Sequence, residues 1–159
     1  MAATVLVEVQ KALAIAGAPP DVEIQACLEA TFRRVQPDEA RDVEIVVRVV
    51  DEEEGRALNL QFRQQNKATN VLSFPAAADA LPDELVRPLG DIVICGPVVE
   101  REAVEQGKAE ASHWYHLLVH GTLHLLGFDH ATAVHAATME SLEIEILANH
   151  GIADPYHGL

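Results

Sequence analysis

Three histidines in the last third of the chain, His120, His124 and His130, have the spacing of a metal site. His120 and His124 are four residues apart, so on a helix their side chains emerge one turn apart on the same face and can point at one ion. Gly127 follows three residues after His124. Glycine readily adopts the left-handed backbone that ends a helix and reverses the chain, and such a reversal returns His130 to the same ion. Three neutral imidazoles with no cysteine are the ligand set of a catalytic zinc site, where a fourth position stays open to water. A structural zinc is instead closed by four protein ligands. The chemistry expected is therefore hydrolysis with one zinc ion (Zn2+) per chain on His120, His124 and His130.

The element that presents these ligands is a helix over about Glu110 to Leu126, stopped by Gly127. At about 100° per residue, His113, His116, His120 and His124 fall in one narrow stripe, and Trp114, Leu118, Val119 and Leu123 lie opposite. A helix apolar over most of its circumference is buried, and imidazoles inside a protein need hydrogen bonds, charge or a metal. His113 and His116 are donors behind the ligands, lining of a cleft, or ordinary hydrogen-bonded histidines. His135, His150 and His157 carry no spacing signal and read as surface residues. The H-x3-H-x2-G-x2-H spacing is that of metzincin peptidases, with one difference: their glutamate general base is replaced here by Gly121. Zinc lowers the pKa of bound water to about 7 unaided, yet peptide hydrolysis also requires a base and a proton donor for the amine. Asp129, the nearest carboxylate in sequence, is a general base, a cap of the turn, or a partner that orients a histidine.

Around this helix the chain alternates strand and helix signals. Thr4 to Val9 alternates apolar and polar residues as a strand does, and Val22 to Val35, after Pro19-Pro20-Asp21, has helical spacing. Val43 to Val50 is a β-branched strand. Asp51 and Glu54 resemble an N-cap with its capping-box partner, opening a helix to about Arg63. Asn70 to Phe74 is a strand stopped by Pro75. A loop rich in Ala, Asp and Pro runs to Pro88, and Asp91 to Cys95 is a further short strand. Pro97 at the first position and Gly107 at the stop bracket a helix, and a last helix covers about Thr132 to Asn149. The order describes a small sheet with helices packed on it.

A chain of 159 residues that is 49% hydrophobic is the size of one domain, residues 1–159, around one core. Cys27 and Cys95 lack partner spacing and read as small buried hydrophobes rather than a disulfide or a zinc knuckle. The N-terminal stretch has no basic region followed by a long apolar run, and no segment approaches the roughly twenty apolar residues of a membrane span. A cytosolic protein without a membrane partner is expected. The net charge of -14 argues against broad, non-specific adhesion to nucleic acid, so any RNA must be held locally. All 11 Lys and Arg lie at or before Lys108 and all 8 His at or after His113, so the basic side chains come from the first part of the chain and the imidazoles from the last.

Three stretches of the sequence resemble the bacterial YbeY family. His120 to His130 matches the signature HGxLHLxGxDH at every fixed position. Leu58-Asn59-Leu60-Gln61-Phe62-Arg63 with Thr69-Asn70-Val71-Leu72-Ser73-Phe74-Pro75, and Gly90-Asp91-Ile92-Val93-Ile94-Cys95, agree as well, as does the chain end Asp154-Pro155-Tyr156. The likeness runs from roughly Val43 to Tyr156, and the first forty residues match weakly. Ala131 to Ala137 lacks the acidic residues often found there in the family.

The resemblance implies a zincin-like α+β fold: a small mixed β-sheet packed with helices, with the metal on a buried helix and the turn after it. It also implies a single-strand-specific, zinc-dependent endoribonuclease of ribosomal RNA, acting in 16S 3′-end maturation and ribosome quality control. Its partners are then single-stranded ribosomal RNA, the small ribosomal subunit and its assembly factors, with no DNA. A functional arginine is carried over to Arg63, whose guanidinium fork matches phosphate oxygens and can stabilise charge in a phosphoryl transition state. Arg56 and Lys67 either extend a small basic patch around it or form a solvated face. Two other readings stay open: a zinc metallopeptidase, and a non-catalytic, zinc-stabilised ribosome assembly factor. The acidic charge favours the latter, and the open coordination position counts against it.

Overall fold

The computed structural model describes residues 4–77 and 86–157. Among them, strands β1 (Val5–Lys11), β2 (Asp42–Val50), β3 (Val71–Pro75) and β4 (Val86–Cys95) form one sheet in the order β1-β2-β4-β3. β1, β2 and β4 run parallel, and β3 lies antiparallel to β4 at the edge. The helices are α1 (Asp21–Val35), α2 (Glu52–Arg63), α3 (Gly96–Gln106), α4 (Glu110–Leu125) and α5 (Ala133–Asn149). This is the expected mixed α+β architecture, and no helix among the described residues is long and apolar enough to cross a membrane.

Alternation along the strands sorts their side chains onto two faces. Ile45, Val47, Ile92 and Ile94 join the main core, where they meet Ile24, Leu28 and Phe32 of α1, Trp114 and Leu118 of α4, and Met139 and Leu147 of α5. Val50, Leu72, Val93 and Cys95 turn the other way and form a smaller cluster with Val98, flanked by Leu58 and Phe74. Both cysteines are free and buried, as their isolation in the sequence implied.

Two expectations are corrected. Asp51 caps α2 by accepting the backbone N–H of Glu54 at 2.8 Å, but the reciprocal half of the capping box does not form. The Glu54 carboxylate instead accepts two bonds from Arg48, at 2.6 and 3.0 Å, a charged pair that outcompetes a neutral amide. The fourth strand begins at Val86 rather than Asp91. Pro88 and Gly90 look like loop residues, yet the ladder is irregular between Glu44 and Ile45, which accommodates them as a bulge does. Gly90 has φ 137°, and a Cβ there would lie 2.2 Å from the Phe74 carbonyl, so β3 approaches as closely as it does only because no side chain intervenes. Residues 78–85 of the expected loop lie outside the described residues.

Candidate metal centre

Helix α4 crosses the main-core face of the sheet and is anchored by Trp114, Leu118, Val119 and Leu123, all fully buried. Gly127 takes the left-handed backbone, φ 98°, and the amide of Phe128 donates to the Leu123 carbonyl at 3.1 Å, closing the helix in the Schellman manner. The reversal brings His130 back over the last turn. The ring centroid of His120 lies 4.7 Å from that of His124 and 4.9 Å from that of His130, and His124 and His130 are 5.4 Å apart. One nitrogen from each ring lies within 4.8 Å of the other two. His120 and His124 are half-buried and His130 is exposed, so the cluster faces solvent on one side. Burial, and then the neighbouring rings of His120 and His130, lower the pKa of His124 and favour the neutral form a metal ligand requires.

Behind the three histidines stands a residue that the sequence pattern did not disclose. Glu143 of α5 is fully buried, and Oε1 lies 2.9 Å from Nδ1 of His120. Its Oε2 lies 2.7 Å from Nε2 of His116 and accepts the Tyr156 hydroxyl at 2.6 Å. Burial alone would push this carboxyl up, but the bonds from His116, His120 and Tyr156 outweigh it and hold the pKa down at about 2. An ionised carboxylate only accepts, so Nδ1 of His120 is the donor and Nε2 keeps its lone pair. Three imidazoles that converge, one of them held with a free nitrogen lone pair, suit a divalent transition metal with nitrogen ligands and fit zinc. His116, His120 and Glu143 also lie within 4.8 Å of one another. They are already joined by direct hydrogen bonds through the other nitrogen of His120, so they form a hydrogen-bonded layer behind the three-histidine cluster.

The remaining histidines separate by their partners. His113 is buried between α3 and α4, where Nε2 lies 2.9 Å from Glu102, and Asn70 donates to the same carboxylate oxygen. Burial lowers its pKa against the pull of Glu102, so it is a hydrogen-bonded core histidine and not part of the cluster. His135 and His157 are exposed, as expected, but His150 is half-buried with its ring edge-on to Tyr115, 6.3 Å between centroids. Asp129 sits in the turn between α4 and α5. Its Oδ1 accepts the Ala131 amide at 3.0 Å and lies 3.1 Å from Nδ1 of His135. The Ala131 bond and His135, against slight desolvation, lower its pKa.

Arg63 ends α2 and is followed by Gln64 in the left-handed conformation, φ 57°. The arginine is exposed. It donates from Nη2 to the Ser73 carbonyl at 2.9 Å and from Nη1 to the Phe62 carbonyl at 3.3 Å, and its guanidinium carbon lies 5.1 Å from the centre of the Phe74 ring. The Ser73 hydroxyl in turn donates to the Gly121 carbonyl at 3.0 Å, beside His120. Two hydrogen bonds through the edge strand β3 therefore connect the arginine to the metal helix. Arg56 is paired with Asn66 on the same exposed side, and the Lys67 carbonyl is taken up by Asn59. Gly121 has a packing reason to be glycine: a Cβ there would lie 3.0 Å from Ile92 Cγ2 and 3.2 Å from Ser73 Oγ, where helix and sheet touch.

An α+β fold in which a buried helix and the turn after it bring three histidines together is zincin-like in architecture. Comparison with known proteins places it more narrowly. A family model described as Endoribonuclease YbeY matches residues 10–151. The Endoribonuclease YbeY of Halorhodospira halophila is 52% identical over 142 residues, 89% of this chain and 90% of that protein. That of Xanthomonas axonopodis pv. citri is 51% identical over 154 residues, 96% and 93% of the two chains. The solution structure of TM1509 from Thermotoga maritima shares the fold, with a TM-score of 0.56 at 24% identity over 95% of this chain and 99% of that one. The chain belongs to the YbeY family.

Proposed function

We propose that this protein is a zinc-dependent endoribonuclease that cuts single-stranded ribosomal RNA, with residues 1–159 acting as one hydrolase domain in the cytoplasm. Its place of action in this reading is the small ribosomal subunit and its assembly factors, in 16S 3′-end maturation and ribosome quality control. The observation that carries the reading is the convergence of His120, His124 and His130 beside an exposed arginine tethered to the same helix. Family membership supports the endoribonuclease activity, since the relatives carry that name.

Zinc held by the three histidines supplies a Lewis acid for a phosphoryl oxygen. The protein does the rest. Arg63 binds the phosphate through the N–H groups not committed to the Ser73 and Phe62 carbonyls and stabilises transition-state charge. The Ser73 carbonyl and the Phe74 ring hold the guanidinium in place. Asp129 is the proposed general base: both of its hydrogen bonds fall on Oδ1, which leaves Oδ2 to accept a proton. A carboxylate with a lowered pKa is a weak base, so its share is smaller than that of Arg63. Peptide hydrolysis is the poorer match, because the position of the peptidase glutamate is Gly121, packed against Ile92 and Ser73. Single strands are preferred because a flexible backbone can bend a phosphate to the edge of β3, whereas an A-form duplex holds it rigid.

The test is zinc-reconstituted protein incubated with single-stranded RNA, duplex RNA and casein, with and without EDTA. Cleavage of the single strand alone, abolished by EDTA, is expected. EDTA-sensitive digestion of casein with the RNA left intact would replace this reading with the peptidase.

A further inference from the structure

We infer that Glu143, itself held by His116 and Tyr156, is a positioning residue of the metal centre: it fixes the tautomer and the ring orientation of His120. The inference rests on the zinc reading above and goes beyond it, because neither the spacing of the ligands nor the arginine calls for a carboxylate on α5.

Glu143 lies in the buried stripe of α5 with Met139, Ile146 and Leu147. A carboxylate fully inside an apolar stripe is costly unless every oxygen is engaged. Here the two oxygens have separate duties. Oε1 takes the His120 ring, while Oε2 is shared by His116, one turn earlier on α4, and by Tyr156 in the turn after α5. His116 Nε2 also lies 3.2 Å from the Tyr156 hydroxyl, so the three groups close on one another. Donors arriving at Oε2 from two different segments prevent the carboxylate from swinging, and the fixed Oε1 then admits only the His120 tautomer with the proton on Nδ1. A neutral imidazole without such a partner exchanges between two tautomers, one of which has no lone pair on the nitrogen that should face the ion. A carboxylate behind a ligating histidine raises ligand basicity and orients the ring, and its loss typically weakens metal affinity by about 10- to 100-fold. Tyr156, in the short segment after α5, thereby becomes part of the metal centre although it is far from any ligand in sequence.

The experiment measures zinc affinity by competition with a chromophoric chelator for the full chain, Glu143→Gln and Tyr156→Phe, with His124→Ala as the ligand-loss control. It is joined by melting curves of the metal-free forms and by nitrogen-15 NMR of the His120 ring without metal. Glu143→Gln should still take up one zinc ion but bind it about 10- to 100-fold more weakly. Tyr156→Phe should show a smaller weakening, with a metal-free melting temperature lowered less than that of Glu143→Gln. The metal-free His120 ring should carry its proton on Nδ1. A folded Glu143→Gln that binds zinc as tightly as the unaltered protein overturns the inference and leaves the zinc reading intact. If Glu143→Gln does not fold, an Nε2-protonated His120 in the unaltered protein overturns it instead. Failure of the unaltered protein to bind zinc removes both.

Discussion

The two halves of the site are built in opposite ways. The histidine half is anchored in the main core: α4 buries Trp114, Leu118 and Leu123, and the carboxylate behind His120 is fully enclosed. The arginine half lies at the edge of the sheet, where Arg63 is exposed and held by backbone carbonyls and one aromatic face. Buried polar groups are coupled to stability, because removing one partner strands the other. Exposed groups held by backbone acceptors can be removed with little effect on the fold. Substitutions in the first half should therefore change metal content and stability together, and substitutions in the second should change cleavage alone.

The largest expected effect is that of His124→Ala, which should abolish tight zinc binding and, with it, cleavage. Because a metal that binds only the folded chain stabilises it by mass action, its melting temperature in zinc should fall to that of EDTA-treated protein. Metal analysis and thermal melts on one sample check both. Next comes Arg63→Ala, which should retain zinc and its melting temperature while cleavage of single-stranded RNA falls by about 10²-fold or more. Arg63→Lys should recover only part of it, since a point charge lacks the fork. Unchanged cleavage by Arg63→Ala would assign the residue to the solvated surface and collapse the contrast between the halves.

Gly121→Glu tests the seam where the halves meet. The added side chain must displace Ile92 or Ser73, and overpacking of this kind costs about 1–3 kcal/mol before any charge is buried. A lowered melting temperature with no peptidase activity is expected. A stable variant that digests casein would show that the glycine is not a packing requirement.

Smaller still is an effect remote from both halves. Glu39 is held at about 2, below its usual 4.5, chiefly by bonds from Arg41, with Arg87 contributing. A depressed carboxyl stabilises the fold fully above its unfolded pKa and loses that contribution as pH falls from about 4.5 to about 2. Melting temperatures should therefore drop over this window more for the unaltered protein than for Glu39→Gln, and parallel curves would remove Glu39 from the acid response.

Much of this architecture was legible because its signals are local. Four-residue histidine spacing, the glycine stop and the Asp51 cap each need only one turn of chain, and Gly127 and Asp51 act as their types imply. What was not legible depends on pairing across the fold. Glu143 is 23 residues from His120 and 27 from His116, and no short window contains that relation. A trace of it did exist: a glutamate in the same helical stripe as Met139, Ile146 and Leu147 is a carboxylate where only apolar side chains are expected. Glu54 misled for a different reason: Arg48, only six residues earlier on the preceding strand, captured a side chain that the capping rule assigned to Asp51. The early start of β4 was hidden because Pro88 and Gly90 are turn residues in isolation and become strand residues only beside an irregular partner.

The most direct test of the account is a zinc titration of EDTA-stripped protein while cleavage of single-stranded RNA is followed. Cleavage should be absent at the start, rise in proportion to added zinc and level off at one ion per chain, and the same titration of His124→Ala should stay flat. Full cleavage by the stripped protein, or recovery in His124→Ala, would contradict the claim that the three-histidine centre drives the reaction.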